Sequence, residues 1–281
     1  EKTTVPTEVK AEIVRRLLGA GLPIVEATSF VHPQWVPQLA DAAELMTGLT
    51  AELGDVARQL PVLVPNQRGL DRAVALGLRH VAVFASATET FASKNLNRTL
   101  ESQFEMFEPT IAAALAAGVA VRGYVSMCFG DPWEGDVELG QVVDVVLALR
   151  DQGCHEISLG DTIGVATAGH VVALLDALSG AGVPRSALAV HFHDTYGQAL
   201  ANTLVALQHG ITVVDASAGG LGGCPFAQSA TGNLATEDLV WMLHGLGIQT
   251  GIDLPALVAT SVWLNEQMGR PSPSRAVRAL G

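Results

Sequence analysis

The sequence has few cysteines, a deficit of positive charge and no long apolar run. Its three cysteines cannot all pair within one chain, which argues against a disulfide scaffold and favours a reducing compartment. Sixteen Lys and Arg against 28 Asp and Glu give a net charge of −12, so neither nucleic acid nor an anionic membrane surface is an expected partner. The longest stretch without a strongly polar side chain, residues 111–121, is far shorter than the roughly 20 residues of a membrane-spanning helix.

Apolar runs alternate with helical patterns along the chain. Seven short runs with β-branched residues predict buried strands at residues 23–28, 61–64, 80–85, 119–127, 155–159, 188–193 and 213–217. Apolar residues at helical spacing predict helices such as residues 7–20, 100–117, 139–152, 169–179 and 198–210. A mean hydropathy of +0.34 fits strands that are buried on both faces. The alternation predicts one parallel-stranded α/β domain.

The number of strands bears on the choice between a barrel and an open sheet. A (β/α)₈ TIM barrel has eight strands, whereas this chain shows seven and opens with a helical pattern, so we expect strand 1 to be missing from the sequence. An open doubly wound sheet needs no eighth strand, but no dinucleotide fingerprint follows the early strands. We predict a TIM barrel over residues 1–250, and a C-terminal helical extension with a flexible tail over residues 251–281 of the same domain.

Two histidines end the strand predicted at residues 188–193. His191 and His193 alternate with Phe192 and therefore point to one face, where both imidazoles can bind the same metal ion. The alternative is an unrelated pair, one histidine packed and the other solvated. Because the carboxyl ends of barrel strands form the active-site mouth, the pattern favours metal ligands.

A glycine-rich segment follows the last predicted strand. Residues 219–223 contain four glycines and lead to Cys224, but they match neither GxGxxG nor the Walker pattern. We expect a loop that moves, with a thiol at its tip that can reach substrate. Asn233 lies further along, either as a helix cap or as a polar group of the site, and Thr236 is an alternative cap.

Two acidic residues occupy the ends of other predicted strands. Glu26 lies in the run at residues 23–28, and Asp161 follows the run at residues 155–159. A carboxylate is costly to bury, so each is expected to be paired or solvated at the barrel mouth. Either residue can be a plain loop cap, but two at the same mouth favour acid–base roles or support of metal ligands.

Five segments resemble the 3-hydroxy-3-methylglutaryl-CoA (HMG-CoA) lyase family. They are EATSFVHPQWVPQ at 26–38, SLGDTIG at 158–164, HFHDTYGQALANTL at 191–204, and GGLGGCPFAQ with GNLATEDLV at 219–228 and 232–240. The resemblance runs from Glu1 to about Arg278. It implies a TIM barrel that cleaves the acyl-CoA into acetyl-CoA and acetoacetate with Mg²⁺ or Mn²⁺.

The same resemblance implies roles for individual residues. His191, His193 and Asn233 correspond to metal ligands, and Cys224 corresponds to the loop thiol. Glu26, Asp161 and His191 correspond to groups implicated in catalysis, and His191 or Asp161 is the expected base for the proton of the substrate hydroxyl. The family's first strand ends in Arg-Asp, which supplies a further metal ligand and a catalytic arginine, and we expect this motif upstream of the sequence given. Two His with Asn and Asp favour a hard octahedral ion over Zn²⁺.

Three other functions remain open from the sequence: a Claisen-condensing relative of the isopropylmalate synthase type, a non-catalytic barrel retained for binding, and a zinc hydrolase that uses His191, His193 and Cys224. The expected partners are a small acyl-CoA substrate and further copies of the chain, in a homodimer or larger homo-oligomer, without nucleic acid or membrane. The expected location is the bacterial cytoplasm, or the mitochondrial matrix if a transit peptide was lost.

Overall fold

Seven parallel strands form the sheet of the computed structural model, which describes residues 3–222 and 232–281. They are β1 (Thr28–Ser29), β2 (Val62–Leu63), β3 (His80–Ser86), β4 (Ala120–Ser126), β5 (Glu156–Asp161), β6 (Leu188–Phe192) and β7 (Val213–Asp215). Each strand pairs in parallel with the next one in the chain, so the spatial order is the sequence order. The seven predicted strands are confirmed.

Helices connect and cover these strands. They are α1 (Thr7–Gly19), α2 (Ala42–Leu53), α3 (Asp55–Arg58), α4 (Gln67–Ala75), α5 (Glu89–Leu96), α6 (Ser102–Ala116), α7 (Leu139–Asp151), α8 (Ala168–Gly180), α9 (Ala199–Gln208), α10 (Thr236–Gly245), α11 (Leu254–Met268) and α12 (Arg275–Leu280). The helix predicted at residues 198–210 is α9, one residue shorter at its start and two at its end. None of the helices in the described part of the chain has the length and apolar character that a membrane crossing requires.

The first and last strands are shorter than the apolar runs that predicted them. Ala27 still donates its N–H to Pro61 O at 3.0 Å, and Phe30 donates to Leu63 O at 2.8 Å, so the pairing extends just past β1 at both ends. At the other edge, Ser217 leaves the ladder and donates instead to Leu234 O at 2.9 Å. The segment 232–236 thereby lies across the carboxyl ends of β6 and β7.

Side chains of β4 alternate between two environments. Val121 and Val125 are 1% exposed and belong to the main apolar core between sheet and helices, together with Leu149 of α7. Fully burying a side chain of this kind stabilises the fold by about 1.5–3 kcal/mol. Arg122 and Tyr124, at the intervening positions, point to the opposite face of the sheet, which is polar.

The polar face is the inner side of a curled sheet. The hydroxyl of Tyr124 in β4 donates to Oε2 of Glu26, which precedes β1, at 2.6 Å. Two strands lie between β4 and β1 in the sheet order, so this contact requires the sheet to bend back on itself. Helices outside and a curled parallel sheet inside are the architecture of a TIM barrel, and this predicted fold class is confirmed.

Side chains cap the two C-terminal helices. Asp253 caps α11 by accepting the N–H of Ala256. Ser274, in the stretch expected to be a flexible tail, is 1% exposed and caps α12 by accepting the N–H of Val277. This stretch is therefore anchored at its end.

Candidate active site

The two histidines of the HxH pattern lie side by side at the carboxyl end of β6. His191 is in the strand and His193 follows it, so alternation turns both rings to the inner face. Their ring centroids are 5.4 Å apart. His193 is 5% exposed, and its Nδ1 has no hydrogen-bond partner among residues 3–222 and 232–281. A buried ring nitrogen without a partner is costly, which indicates that a further group completes this site.

Asn233 joins the histidines because the segment 232–236 crosses the ends of β6 and β7. Its backbone forms a bridge with His193. Its side-chain Oδ1 lies 3.0 Å from Nε2 of His191, while its Nδ2 donates to Leu221 O at 2.7 Å. The second contact fixes the amide orientation, so the oxygen faces the histidine. The structure thus brings the three residues predicted as metal ligands into one cluster.

The two imidazoles have opposite protonation preferences. Burial, with a smaller contribution from His191, lowers the pKa of His193 to about 3. His193 is therefore neutral at physiological pH, the form in which a ring nitrogen can bind a metal ion. For His191, desolvation opposes the charged form, but Asp215 and Asn233 stabilise it and raise the pKa.

An arginine organises the inner face beneath the histidines. Arg122 donates from Nε to Glu156 at 2.6 Å, from Nη1 to the Tyr124 hydroxyl at 2.8 Å and from Nη2 to Asp215 at 2.9 Å. The side chain of Arg122 is only 15% exposed, and each of the three guanidinium nitrogens donates to one of its partners. A charge this enclosed needs such partners, because an unpaired buried ion costs several kcal/mol.

Asp215 connects this arginine to the histidine cluster. Its Oδ2 accepts the hydroxyl of Ser158 at 2.7 Å and lies 3.6 Å from Nδ1 of His191. Although burial disfavours its ionised form, His191 and Arg122 outweigh burial and lower the pKa of Asp215 to about 2. Asp215 is consequently a carboxylate throughout the physiological range.

Glu26 lies on the same inner face, on the side of β1. The residue is exposed, yet desolvation by the surrounding protein atoms disfavours the charged carboxylate and raises its pKa, an effect that the hydrogen bond from Tyr124 partly offsets. The structure places Glu26 on the inner face but before β1 rather than at the end of that strand, and its catalytic role stays a prediction.

Asp161 is at the end of β5 but faces away from the cluster. In the ladder it pairs with Phe192, a core residue, whereas its neighbour Gly160 pairs with His191. Its two carboxylate oxygens accept the N–H groups of Val165 and Ala166 at 3.0 and 3.1 Å. The structure does not bring Asp161 together with the histidines, and its observed contacts hold the loop between β5 and α8.

Cys224 lies outside the described residues, so its predicted role stays a prediction. The other two thiols are buried, and burial raises the pKa of both Cys128 and Cys154 to about 12. At the start of the glycine-rich segment, the N–H of Gly219 donates to both carboxylate oxygens of Glu237, which is fully buried. Gly219 adopts φ +60°, a left-handed conformation that favours glycine.

Sequence reasoning missed four residues of the inner face: Arg122, Tyr124, Ser158 and Asp215. Their signal was present as polar side chains at alternate positions of otherwise apolar strands, such as Arg122 and Tyr124 between Val121 and Val125. Read with period two, these strands have one apolar and one polar face.

The histidine cluster offers donor atoms for a divalent cation. Within residues 3–222 and 232–281 no three His, Cys, Asp or Glu side chains are grouped as a metal site. The donors are two imidazoles and an amide oxygen, and the partnerless Nδ1 of His193 supports a missing ligand. Imidazole with oxygen donors is compatible with Mg²⁺ or Mn²⁺, so the residues fit that group, and metal binding stays a prediction.

Comparison with known proteins identifies relatives across the whole chain. The HMGL-like family matches residues 1–263. A mitochondrial hydroxymethylglutaryl-CoA lyase of Arabidopsis thaliana is 53% identical over 280 residues, covering 100% of this chain and 59% of the relative. A cytoplasmic 3-hydroxy-3-methylglutaryl-CoA lyase of Danio rerio is 50% identical and covers 99% and 82%, respectively. The chain thus spans about three fifths of the length of the plant relative, and its relatives include mitochondrial and cytoplasmic proteins.

A solved structure of similar fold carries ligands. The HMG-CoA lyase of Acinetobacter baumannii, in complex with coenzyme A and 3-methylmalate, has a TM-score of 0.93 and 36% sequence identity, covering 99% of this chain and 90% of that one. Together with the family match over most of the sequence, this similarity shows that the chain belongs to the HMGL-like family.

Proposed function

We propose that the chain is an HMG-CoA lyase that cleaves 3-hydroxy-3-methylglutaryl-CoA into acetyl-CoA and acetoacetate. The observation that carries the proposal is the cluster of His191, His193 and Asn233 at the barrel mouth, in a chain that is 53% identical to a lyase of that name. An acyl-CoA substrate is supported by the related structure that holds coenzyme A.

The reaction requires a proton acceptor and stabilisation of negative charge. The tertiary hydroxyl of the substrate gives its proton to a base, and the C2–C3 bond breaks. The carbon that bore the hydroxyl becomes the ketone of acetoacetate, and the bond's electron pair forms the enolate of acetyl-CoA, which then takes a proton on carbon. A Mg²⁺ or Mn²⁺ ion held by His191, His193 and Asn233 would polarise the substrate oxygens.

Glu26 is the residue we place as the proton acceptor. Its carboxyl group is on the inner face, and the Tyr124 hydroxyl donates to Oε2, which leaves Oε1 for a substrate proton. Desolvation by the surrounding protein raises its pKa, which makes it a stronger base than an ordinary glutamate. Asp161, by contrast, uses both oxygens on its own loop. Protonation of the enolate by Cys224 remains a prediction from the sequence.

The test combines metal binding with product analysis. Full-length protein incubated with HMG-CoA and Mn²⁺ should release acetoacetate, and His193→Ala should lose most Mn²⁺ affinity and turnover while the melting temperature changes little. His244→Ala is the matched control, because this exposed histidine contacts Thr250 and lies in α10. A failure to release acetoacetate, or condensation of acetyl-CoA with an oxo acid instead, would overturn the assignment.

A further inference from the structure

A carboxylate on β7 lies directly opposite the first histidine. The ladder between β6 and β7 pairs His191 with Asp215, and both side chains lie on the inner face. Cross-strand partners of this kind are the closest neighbours a sheet provides. Asp215 is therefore placed by the backbone register itself, without any loop.

The two ring nitrogens of His191 face different groups. Nδ1 lies 3.6 Å from Asp215 Oδ2, and Nε2 lies 3.0 Å from Asn233 Oδ1. The first contact is an electrostatic one, longer than a hydrogen bond. It nevertheless distinguishes the two edges of the ring, because a negative charge attracts the edge that carries a proton. Nε2 is then the nitrogen that faces Asn233 and His193, and a bound cation would replace its contact with Asn233 Oδ1.

Asp215 is itself held in place. Arg122 Nη2 donates to its Oδ1 at 2.9 Å, and the hydroxyl of Ser158 donates to its Oδ2 at 2.7 Å. Arg122 is in turn fixed by Glu156 and Tyr124. A carboxylate with donors from two neighbouring elements has little freedom to rotate, and so it can orient the ring beside it.

We propose that Asp215 is a positioning residue that holds His191 with Nδ1 towards itself and thereby presents Nε2 to a divalent cation. The inference rests on the proposed function, since that function supplies the cation. The inference deepens the proposed function, because it assigns the orientation of the ligand His191 to Asp215, a residue that would itself contact neither metal nor substrate. Carboxylates behind metal-bound histidines fix ring orientation and increase ligand basicity, and their loss typically costs about 10- to 100-fold in metal affinity.

The experiment compares two carboxylates bound to the same arginine. In Asp215→Asn the shape is kept and the charge beside His191 is removed, so the dissociation constant for Mn²⁺ alone, measured by EPR, should rise about 10- to 100-fold. Glu156→Gln also removes a carboxylate partner of Arg122, but Glu156 has no contact with His191 among the hydrogen bonds and ion pairs of the described residues. This variant should change the melting temperature and leave Mn²⁺ affinity within about twofold of wild type.

A second variant protects the test against misfolding. Ser158→Ala keeps the Asp215 charge but frees Oδ2 from its hydroxyl donor, so its Mn²⁺ affinity should fall between wild type and Asp215→Asn. The Mn²⁺ concentration for half-maximal activity should follow the same order.

The outcomes separate the two proposals. If wild-type protein binds Mn²⁺ and Asp215→Asn binds it with equal affinity, the positioning role of Asp215 is overturned and the proposed function is not. Equal losses of affinity in Asp215→Asn and Glu156→Gln would also overturn it, because the effect would then come from the network as a whole. Wild-type protein without Mn²⁺ affinity would overturn the metal-dependent mechanism and the inference built on it.

Discussion

At the scale of single residues, burial determines the chemistry of the two described thiols, Cys128 and Cys154. Cys128 is 1% exposed and donates to Val125 O, and Cys154 is 5% exposed. Alkylation requires a thiolate, and burial raises the pKa of both groups to about 12. Neither thiol is therefore a nucleophile in the folded protein at neutral pH.

We expect both buried thiols to resist iodoacetamide at pH 8, whereas the sequence predicts that Cys224 reacts first. Peptide mass spectrometry after timed labelling measures this order. In a Cys224→Ser variant, rapid labelling should disappear and return only in urea. Faster modification of Cys154 than of Cys224 in wild-type protein would contradict the expectation.

Asp161 links loop structure to pH. Burial raises its pKa to about 6, although hydrogen bonds from Ala166 and Val165 oppose the shift. In the unfolded chain an aspartate titrates near pH 3.9. Between these values the folded state binds more protons, so this residue's contribution to the free energy of unfolding falls as pH rises from about 4 to about 6 and is constant above that.

The expected measurement is the difference in unfolding free energy between wild type and Asp161→Asn, by urea titration from pH 4 to pH 7. Relative to the variant, wild type should lose up to about 3 kcal/mol between pH 4 and pH 6. Subtraction removes the titration of all other groups. A difference that is constant with pH would show that the Asp161 pKa is the same in both states.

The sequence predicted side chains at strand ends better than side chains inside strands. His191 and His193 were singled out because polar residues at the end of an apolar run are conspicuous, although the same signal also singled out Asp161, which faces away from the histidines. Asp215 and Arg122 were missed because each is a polar residue inside an apolar run. The two side chains bind each other but lie 93 residues apart in the chain. No local pattern predicts a contact over that separation.

At the scale of elements, one buried carboxylate attaches the last helix to the barrel. Asp238 of α10 is 8% exposed and accepts the Ser274 hydroxyl at 2.7 Å, Arg275 N–H at 3.1 Å and Ala276 N–H at 2.7 Å. Arg275 also donates to Asp194, the residue after His193, at 3.0 Å. The start of α12 is thereby tied to the loop that follows the histidines.

Asp238→Asn should lower the free energy of unfolding by about 2–3 kcal/mol, because it removes the charge and one acceptor from three converging donors. Asp253→Asn is the control: this exposed aspartate also caps a helix, and Asn caps as well as Asp, so its effect should be near zero. Urea denaturation measures both, and amide exchange at residues 275–280 should accelerate only in Asp238→Asn. Similar values for the two variants would contradict a special role for Asp238.

Element positions were predictable and their ends were not. The strand predicted at residues 213–217 is longer than β7, because the sequence does not show that the N–H of Ser217 will donate to the carbonyl of Leu234. Likewise, the run predicted as a strand at residues 23–28 contains strand-like residues, but only Thr28–Ser29 pairs as a regular strand. Tertiary partners decide where each strand stops.

At the scale of the whole molecule, the apolar core lies between sheet and helices, and the barrel interior is polar. Leu149 of α7 is fully buried, and its Cδ1 would lie 3.1 Å from a Cβ added to Gly123 of β4. Helix and strand are therefore in close contact there. The fold class followed from the strand rhythm, whereas the polar interior did not, since apolar content alone implied strands buried on both faces.

Leu149→Ala should lower the free energy of unfolding by about 2–5 kcal/mol, because it leaves a cavity between α7 and β4. Leu246→Ala provides the control, since Leu246 is 50% exposed and its replacement should cost less than about 0.5 kcal/mol. Thermal and urea unfolding of both variants test where the core lies. A small effect at Leu149 would place it elsewhere.

The pairing of Arg122 with Asp215 also bears on synthesis of the protein. Because each strand pairs with the one before it, the sheet can assemble in the order in which the ribosome releases it. Arg122 emerges 93 residues before its aspartate, an interval of roughly 5–20 s at 5–20 residues per second. During that interval Asp215 is not yet available, so Glu156 is the only one of the two carboxylates that can pair with the Arg122 guanidinium. Burial of the inner face is then unfavourable, because it would bury an incompletely paired charge. The half-made barrel should therefore stay open on its polar side until β7 arrives.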